Sequence, residues 1–73
     1  MKYIVSNPDI MTGKLVIIGT RVPVARILFL LKEGYTIEAI QEEYPHISLE
    51  KINGAVNELI EMLDNSKYAS KIL

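Results

Sequence analysis

Cysteine is absent from the 73 residues and histidine occurs once. Those two facts exclude a disulfide scaffold, a thiol nucleophile and a thiolate zinc site, and they leave almost no ligand set for a transition metal. A chain without cysteine also fits a reducing cytosol. Long apolar runs are missing too. The start, Met1-Lys2-Tyr3-Ile4-Val5-Ser6-Asn7-Pro8, stops being apolar after three residues, too few for the core of a signal peptide or for a membrane span, so no membrane contact and a cytoplasmic location are expected. The four glycines fall into neither GxGxxG nor phosphate-loop spacing, which excludes those nucleotide-binding motifs.

What is present is an apolar, weakly charged chain, 49% hydrophobic and 23% charged, a balance incompatible with disorder. Its length allows one domain, residues 1–73. A domain of this size buries only roughly 60% of its unfolded surface, so a lone copy is marginal and a partner is expected.

Two short strand-forming runs, Tyr3-Ile4-Val5 and Leu15-Val16-Ile17-Ile18, are bounded by turn formers and predict a ribbon over residues 3–18. Two strands are unstable alone, so the ribbon must lie on helices, pair with a second chain, or both. From Pro23, expected at the first helical position, the period becomes helical as far as Gly34 and predicts a helix over about 23–33. Val24, Ile27, Leu28 and Leu31 recur at core spacing, while Ala25, Phe29 and Leu30 widen the stripe nearly all round. Thr36 caps a second helix, 37–44, which Pro45 ends. Ser48 caps a third, 48–63, with Leu49, Ile52, Ala55, Val56, Leu59, Ile60 and Leu63 in one stripe. A short helical tail is expected at 66–73. The fold class is therefore mainly α: a three-helix helix-turn-helix core, homeodomain-like, with a short N-terminal β-ribbon.

Charge is divided along the chain. Residues 1–32 hold five basic groups, Lys2, Lys14, Arg21, Arg26 and Lys32, against Asp9, a net of +4. Residues 35–64 hold Lys51 against Glu38, Glu42, Glu43, Glu50, Glu58, Glu61 and Asp64, a net of −6. Affinity for DNA rests on neutralising phosphates, and each acid facing a groove opposes it. Were the third helix to enter a major groove, Lys51, Asn53 and Asn57 are its base readers, since asparagine suits adenine and lysine suits guanine. The alternative is that they form the wet face of an amphipathic helix. A basic ribbon carrying Lys14, Arg21 and Arg26 is the better DNA candidate, because strands also enter grooves.

Gly19-Thr20-Arg21-Val22-Pro23-Val24 is the most distinctive stretch. Arg21 either grips a phosphate or a partner's carboxylate, or pairs with Glu42 or Glu43 and ties the ribbon to the second helix. The ion pair is the favoured role, and it would make Arg21→Ala cost about 1 to 3 kcal/mol of stability. Glu42 and Glu43 occupy adjacent helical positions that point apart, which does not suit general acid and base work. His46 follows Pro45 in a turn with no second histidine, so a surface residue is expected. No serine, lysine or tyrosine sits in a recognisable nucleophile setting, so no enzyme and no cofactor are expected. Phe29, Leu30, Tyr68, Ile72 and Leu73 exceed what one small core needs and mark a partner surface, with a homodimer the first partner expected.

Asn7-Pro8-Asp9-Ile10, Gly13 through Val24, Leu31 through Ile40 with Gly34, and Tyr44-Pro45-His46-Ile47-Ser48 resemble the domain of unknown function 433 family from about residue 3 to residue 60. Thr12, Leu15 and Ile18 depart from its usual pattern, which has a glycine, a proline and a basic residue there. Members are similar to VapB-type antitoxins, so the resemblance implies a strand pair with a helix-turn-helix, neutralisation of a cognate PIN-like ribonuclease toxin, and self-regulation at operator DNA. A separate toxin-binding tail would be confined to Ser66 through Leu73. An interaction module or dimeric adaptor without DNA binding is the alternative.

Overall fold

The computed structural model describes residues 2–6, 8–9 and 13–64. It is mostly helical, with three helices and an N-terminal antiparallel hairpin: β1 (Ile4–Ser6), β2 (Leu15–Ile17), α1 (Val24–Lys32), α2 (Ile37–Glu43) and α3 (Leu49–Asp64). The tail expected at 66–73 lies outside the described residues.

The strands pair with Ile4 opposite Ile17, Val5 opposite Val16 and Ser6 opposite Leu15. This register puts Ile4 and Ile17 on one face, and both are buried against the helices. After β2 the chain turns over Gly19, whose φ of 75° lies in the left-handed region that glycine adopts without a Cβ clash. The Thr20 hydroxyl closes this turn by donating to the Ile17 carbonyl (2.8 Å) and accepting from the Val22 N–H (3.0 Å). The Ile17 N–H donates to Val22 (3.0 Å), and Pro23 bridges antiparallel to Val16.

That bridge moves the start of α1. Pro23, expected as the first helical residue, is extended at ψ 140° and stands just before the helix as its N-cap. An extended residue beside β2 cannot also carry helical ψ. At the other end, Gly34 (φ 95°) donates to Leu31 and Tyr35 to Leu30, each at 3.0 Å, a Schellman closure that satisfies two orphan carbonyls. Thr36 caps α2 by accepting from the Ala39 N–H (3.0 Å), and Ser48 caps α3 by accepting from the Lys51 N–H (3.2 Å). Both caps stand where the sequence reading put them.

One isoleucine from each of five segments is fully buried: Ile17 from β2, Ile27 from α1, Ile40 from α2, Ile47 from the α2–α3 connection and Ile52 from α3. They belong to one cluster with Ile4, Val24, Leu30 and Ala55, and no polar or charged side chain is buried among the described residues. Each such side chain contributes about 1.5 to 3 kcal/mol of transfer free energy.

A second attachment holds the start of the chain. The Glu58 carboxylate accepts from the backbone N–H groups of Lys2 and Tyr3, the latter at 2.7 and 3.0 Å. One turn earlier on α3, Gly54 leaves room for the Tyr3 ring: a Cβ there would fall 2.3 Å from Cδ2 and 2.8 Å from Cγ. Glycine inside a helix normally costs about 1 kcal/mol relative to alanine. Here the sign reverses, because Cγ cannot swing aside without moving the whole ring. Gly54→Ala is expected to destabilise by about 1 to 3 kcal/mol in urea titrations. In a Tyr3→Ala background the same change should become neutral or stabilising.

Candidate functional site

α1 is apolar on almost every side, and the packing decides which side faces in. Val24, Ile27 and Leu30 are buried, with Leu31 packed against the cluster, while Ala25, Leu28 and Phe29 face outward. This corrects the sequence reading twice. Leu30, expected on the partner surface, is a core residue at 4% exposure, and Leu28, expected in the core stripe, is 46% exposed. Phe29 is 48% exposed and stands where a partner can reach it. A helix without a polar face carries no periodic signal, so its rotation follows from which side chains fit against Ile17 and Ile52.

The outer side of α1 joins a groove of about 330 Å³, lined mainly by Lys14 and Leu15 of the hairpin, Pro23, Ala25 and Leu28 around α1, and Leu59 of α3. The C-terminal half of α3 also exposes Ile60 (51%) and Leu63 (61%), two residues the periodicity had placed in one stripe with Ile52 and Ala55. Among the described residues the stripe is less covered there than at Ile52 and Ala55. These are many large exposed apolar side chains for so small a domain. The signal available in the sequence was the excess width of both stripes, which could not say which members would be left outside.

The six expected DNA contacts do not form one surface. Lys14 borders the apolar groove, and Arg26 lies on the outer side of α1 with its guanidinium 5.4 Å from the centre of the Phe29 ring, a cation–π contact. Arg21 is exposed and lines a different cleft with His46. Lys51 is half-buried, with Nζ 3.5 Å from the point a Cβ on Gly19 would occupy, so it turns toward the β2–α1 loop. Asn53 and Asn57 are exposed on α3 without it. Asn53 shares a shallow depression with Glu38 and Glu50, and Glu61 and Asp64 are exposed further along. The outward face of α3 therefore presents carboxylates and amides, a poor match for phosphate. Among the described residues the expected ion pair of Arg21 with Glu42 or Glu43 is not formed, and all three side chains are exposed. Tyr68, Ile72 and Leu73, also expected to meet a partner, lie outside the described residues.

His46 is exposed and meets only the edge of Tyr44, at 6.3 Å between ring centres. Among the described residues no group of three His, Asp or Glu is placed to hold a metal ion, and no helix is long and apolar enough to cross a membrane.

Comparison with known proteins gives a family and one relative. The family described as "Protein of unknown function (DUF433)" matches residues 4–64. Uncharacterized protein y4eO of Sinorhizobium fredii is 39% identical over 51 residues, which is 70% of this chain and 23% of that protein. The chain thus spans about a quarter of the length of this relative. No solved structure matches.

Two outcomes follow from these placements. Leu30→Ala should cost about 2 to 5 kcal/mol, as a buried leucine does, while Leu28→Ser should stay within about 0.5 kcal/mol; urea denaturation of both variants compares them directly. Arg21→Ala should likewise change stability by no more than about 0.5 kcal/mol, because it breaks no ion pair.

Proposed function

The chain belongs to the DUF433 family, and we propose that it is a protein-binding module, the antitoxin-like member of a toxin-antitoxin pair. It is not an enzyme in this reading. It acts in the cytoplasm by laying an apolar face on a cognate protein, a PIN-like ribonuclease by the likeness to VapB-type antitoxins. The single observation that carries the reading is the apolar groove shared by the hairpin, α1 and α3, lined by Leu15, Leu28 and Leu59, on a domain that also exposes Phe29, Ile60 and Leu63. Burial of apolar area is the main driving force of association, and lysine and arginine at the border, Lys14 and Arg26, favour a partner with carboxylates beside its apolar residues. Neutralisation then needs only that the covered region of the toxin include or obstruct its active site.

The same reading takes the three helices as a homeodomain-like helix-turn-helix and the functional unit as a homodimer. Operator binding takes second place in it. With Lys51 turned to the Gly19 loop and Glu50, Glu61 and Asp64 on the outward side of α3, that helix has little means of neutralising phosphates.

The test is co-expression with the product of the adjacent gene. The unaltered chain should restore growth and co-purify with it, and Leu28→Glu and Phe29→Glu, both on exposed positions, should keep the fold but lose rescue and co-purification. Asn53→Ala and Asn57→Ala, away from the groove, should behave as the unaltered chain does. Rescue that survives both glutamate variants rejects the apolar face as the docking site, and absence of rescue and of co-purification by the unaltered chain rejects the antitoxin reading.

A further inference from the structure

A second cleft, sharing no lining residue with the apolar groove, opens where the β2–α1 loop meets the α2–α3 connection. It is an open depression of about 540 Å³. Val5, Val16 and Val22 supply an apolar lining, and Gly19, Arg21 and His46 the polar part. Lys51 reaches the same loop from the first turn of α3, with Nζ against Gly19. Basic side chains from three separate segments thus border this loop, Arg21 and His46 on the cleft and Lys51 beside Gly19, on a chain whose net charge is −1. None of the nine acidic residues lines this cleft. Neither Arg21 nor Lys51 forms an ion pair among the described residues, and the loop N–H groups of Gly19 and Arg21 make no hydrogen bond among them.

Like charges gathered without counter-charges repel one another, and an anion seated between them removes that repulsion. Free backbone donors on a tight glycine turn beside arginine and lysine are the means by which proteins hold phosphate. The surroundings limit its size. Glu42 and Glu43 are exposed at the end of α2, and Glu50 adjoins Lys51 in the chain. Exposed carboxylates on α2 and α3 oppose a polyanion long enough to reach them, whereas a single phosphate stays within the cleft. We propose that this cleft binds a small phosphomonoester, its phosphate held by Arg21, Lys51 and His46 and its apolar or planar body resting on Val5, Val16 and Val22. The proposal is independent of partner docking on α1 and α3.

The experiment is a backbone amide NMR titration of the full chain with adenosine monophosphate, inorganic phosphate and adenosine, at constant ionic strength. Adenosine monophosphate should give saturable shifts confined to Gly19 through Val22, His46 and Lys51. Phosphate should move the same signals more weakly, and adenosine should leave Arg21 and Lys51 unmoved. Arg21→Gln and Lys51→Gln, which should keep the dispersed spectrum of the folded chain, should each weaken the nucleotide by about tenfold. Failure of adenosine monophosphate and phosphate to saturate these shifts by about 20 mM, a concentration at which even millimolar sites fill, overturns the proposal. Equal affinity in both glutamine variants overturns it as well. Tighter binding of a DNA duplex to the same residues, lost with added salt, replaces the small ligand with a polyanion.

Discussion

The meeting of five isoleucines, one each from β2, α1, α2, the α2–α3 connection and α3, is the contact on which the rest of this domain depends. No segment here is stable alone: a two-stranded hairpin is marginal in water, and helices of nine and seven residues are too short to persist unaided. Each becomes stable only by burying its isoleucine against the others. Ile47 has a particular part, since it anchors the connection between α2 and α3 and so sets how those helices meet. With no buried charge, the core relies on shape and apolar area.

Using the available apolar residues in this way leaves a surplus. α1 has more apolar side chains than one buried side can take, and on α3 Leu49, Ile60 and Leu63 are exposed while Ile52, Ala55 and Leu59 pack on the core. Part of the surplus lines the groove at Leu15, Leu28 and Leu59, and Ile18, Phe29, Tyr35, Leu49, Ile60 and Leu63 are exposed as well. The ionic groups are sorted as well: carboxylates occupy the outward sides of α2 and α3, while Arg21, His46 and Lys51 gather about the Gly19 turn. The domain thus presents an apolar groove, an acidic helical surface and a small cationic cleft, three surfaces of distinct chemistry on a chain with almost no net charge.

Much of the architecture was legible beforehand where the cause was local. Thr36 and Ser48 cap their helices through hydrogen bonds to residues three positions ahead, and Gly34 ends α1 through its own backbone freedom. The strand pair could be read from short apolar runs between turn formers. The rotation of α1 could not, because interchanging Leu28 and Leu30 between core and surface alters nothing in a helix that is apolar all round. The surroundings of Arg21 were also hidden: Glu42 and Glu43 stood as candidate partners, yet Arg21 lines a cleft with His46 instead. Gly54 gave no hint of Tyr3, fifty-one positions earlier, since nothing within one helical turn explains a glycine there.

The order of residues alone therefore settled the kind of each element, most of its ends and the division of charge, since these depend on neighbours within about four positions. The three-dimensional packing chose the side of α1 that faces inward, which apolar residues of α3 pack on the core, the position of Pro23 before its helix, the cleft that Arg21 lines and the loop that Lys51 borders. Those outcomes turn on whether side chains far apart in the chain fit one another, and burial of close-packed surface is a property of the assembled shape.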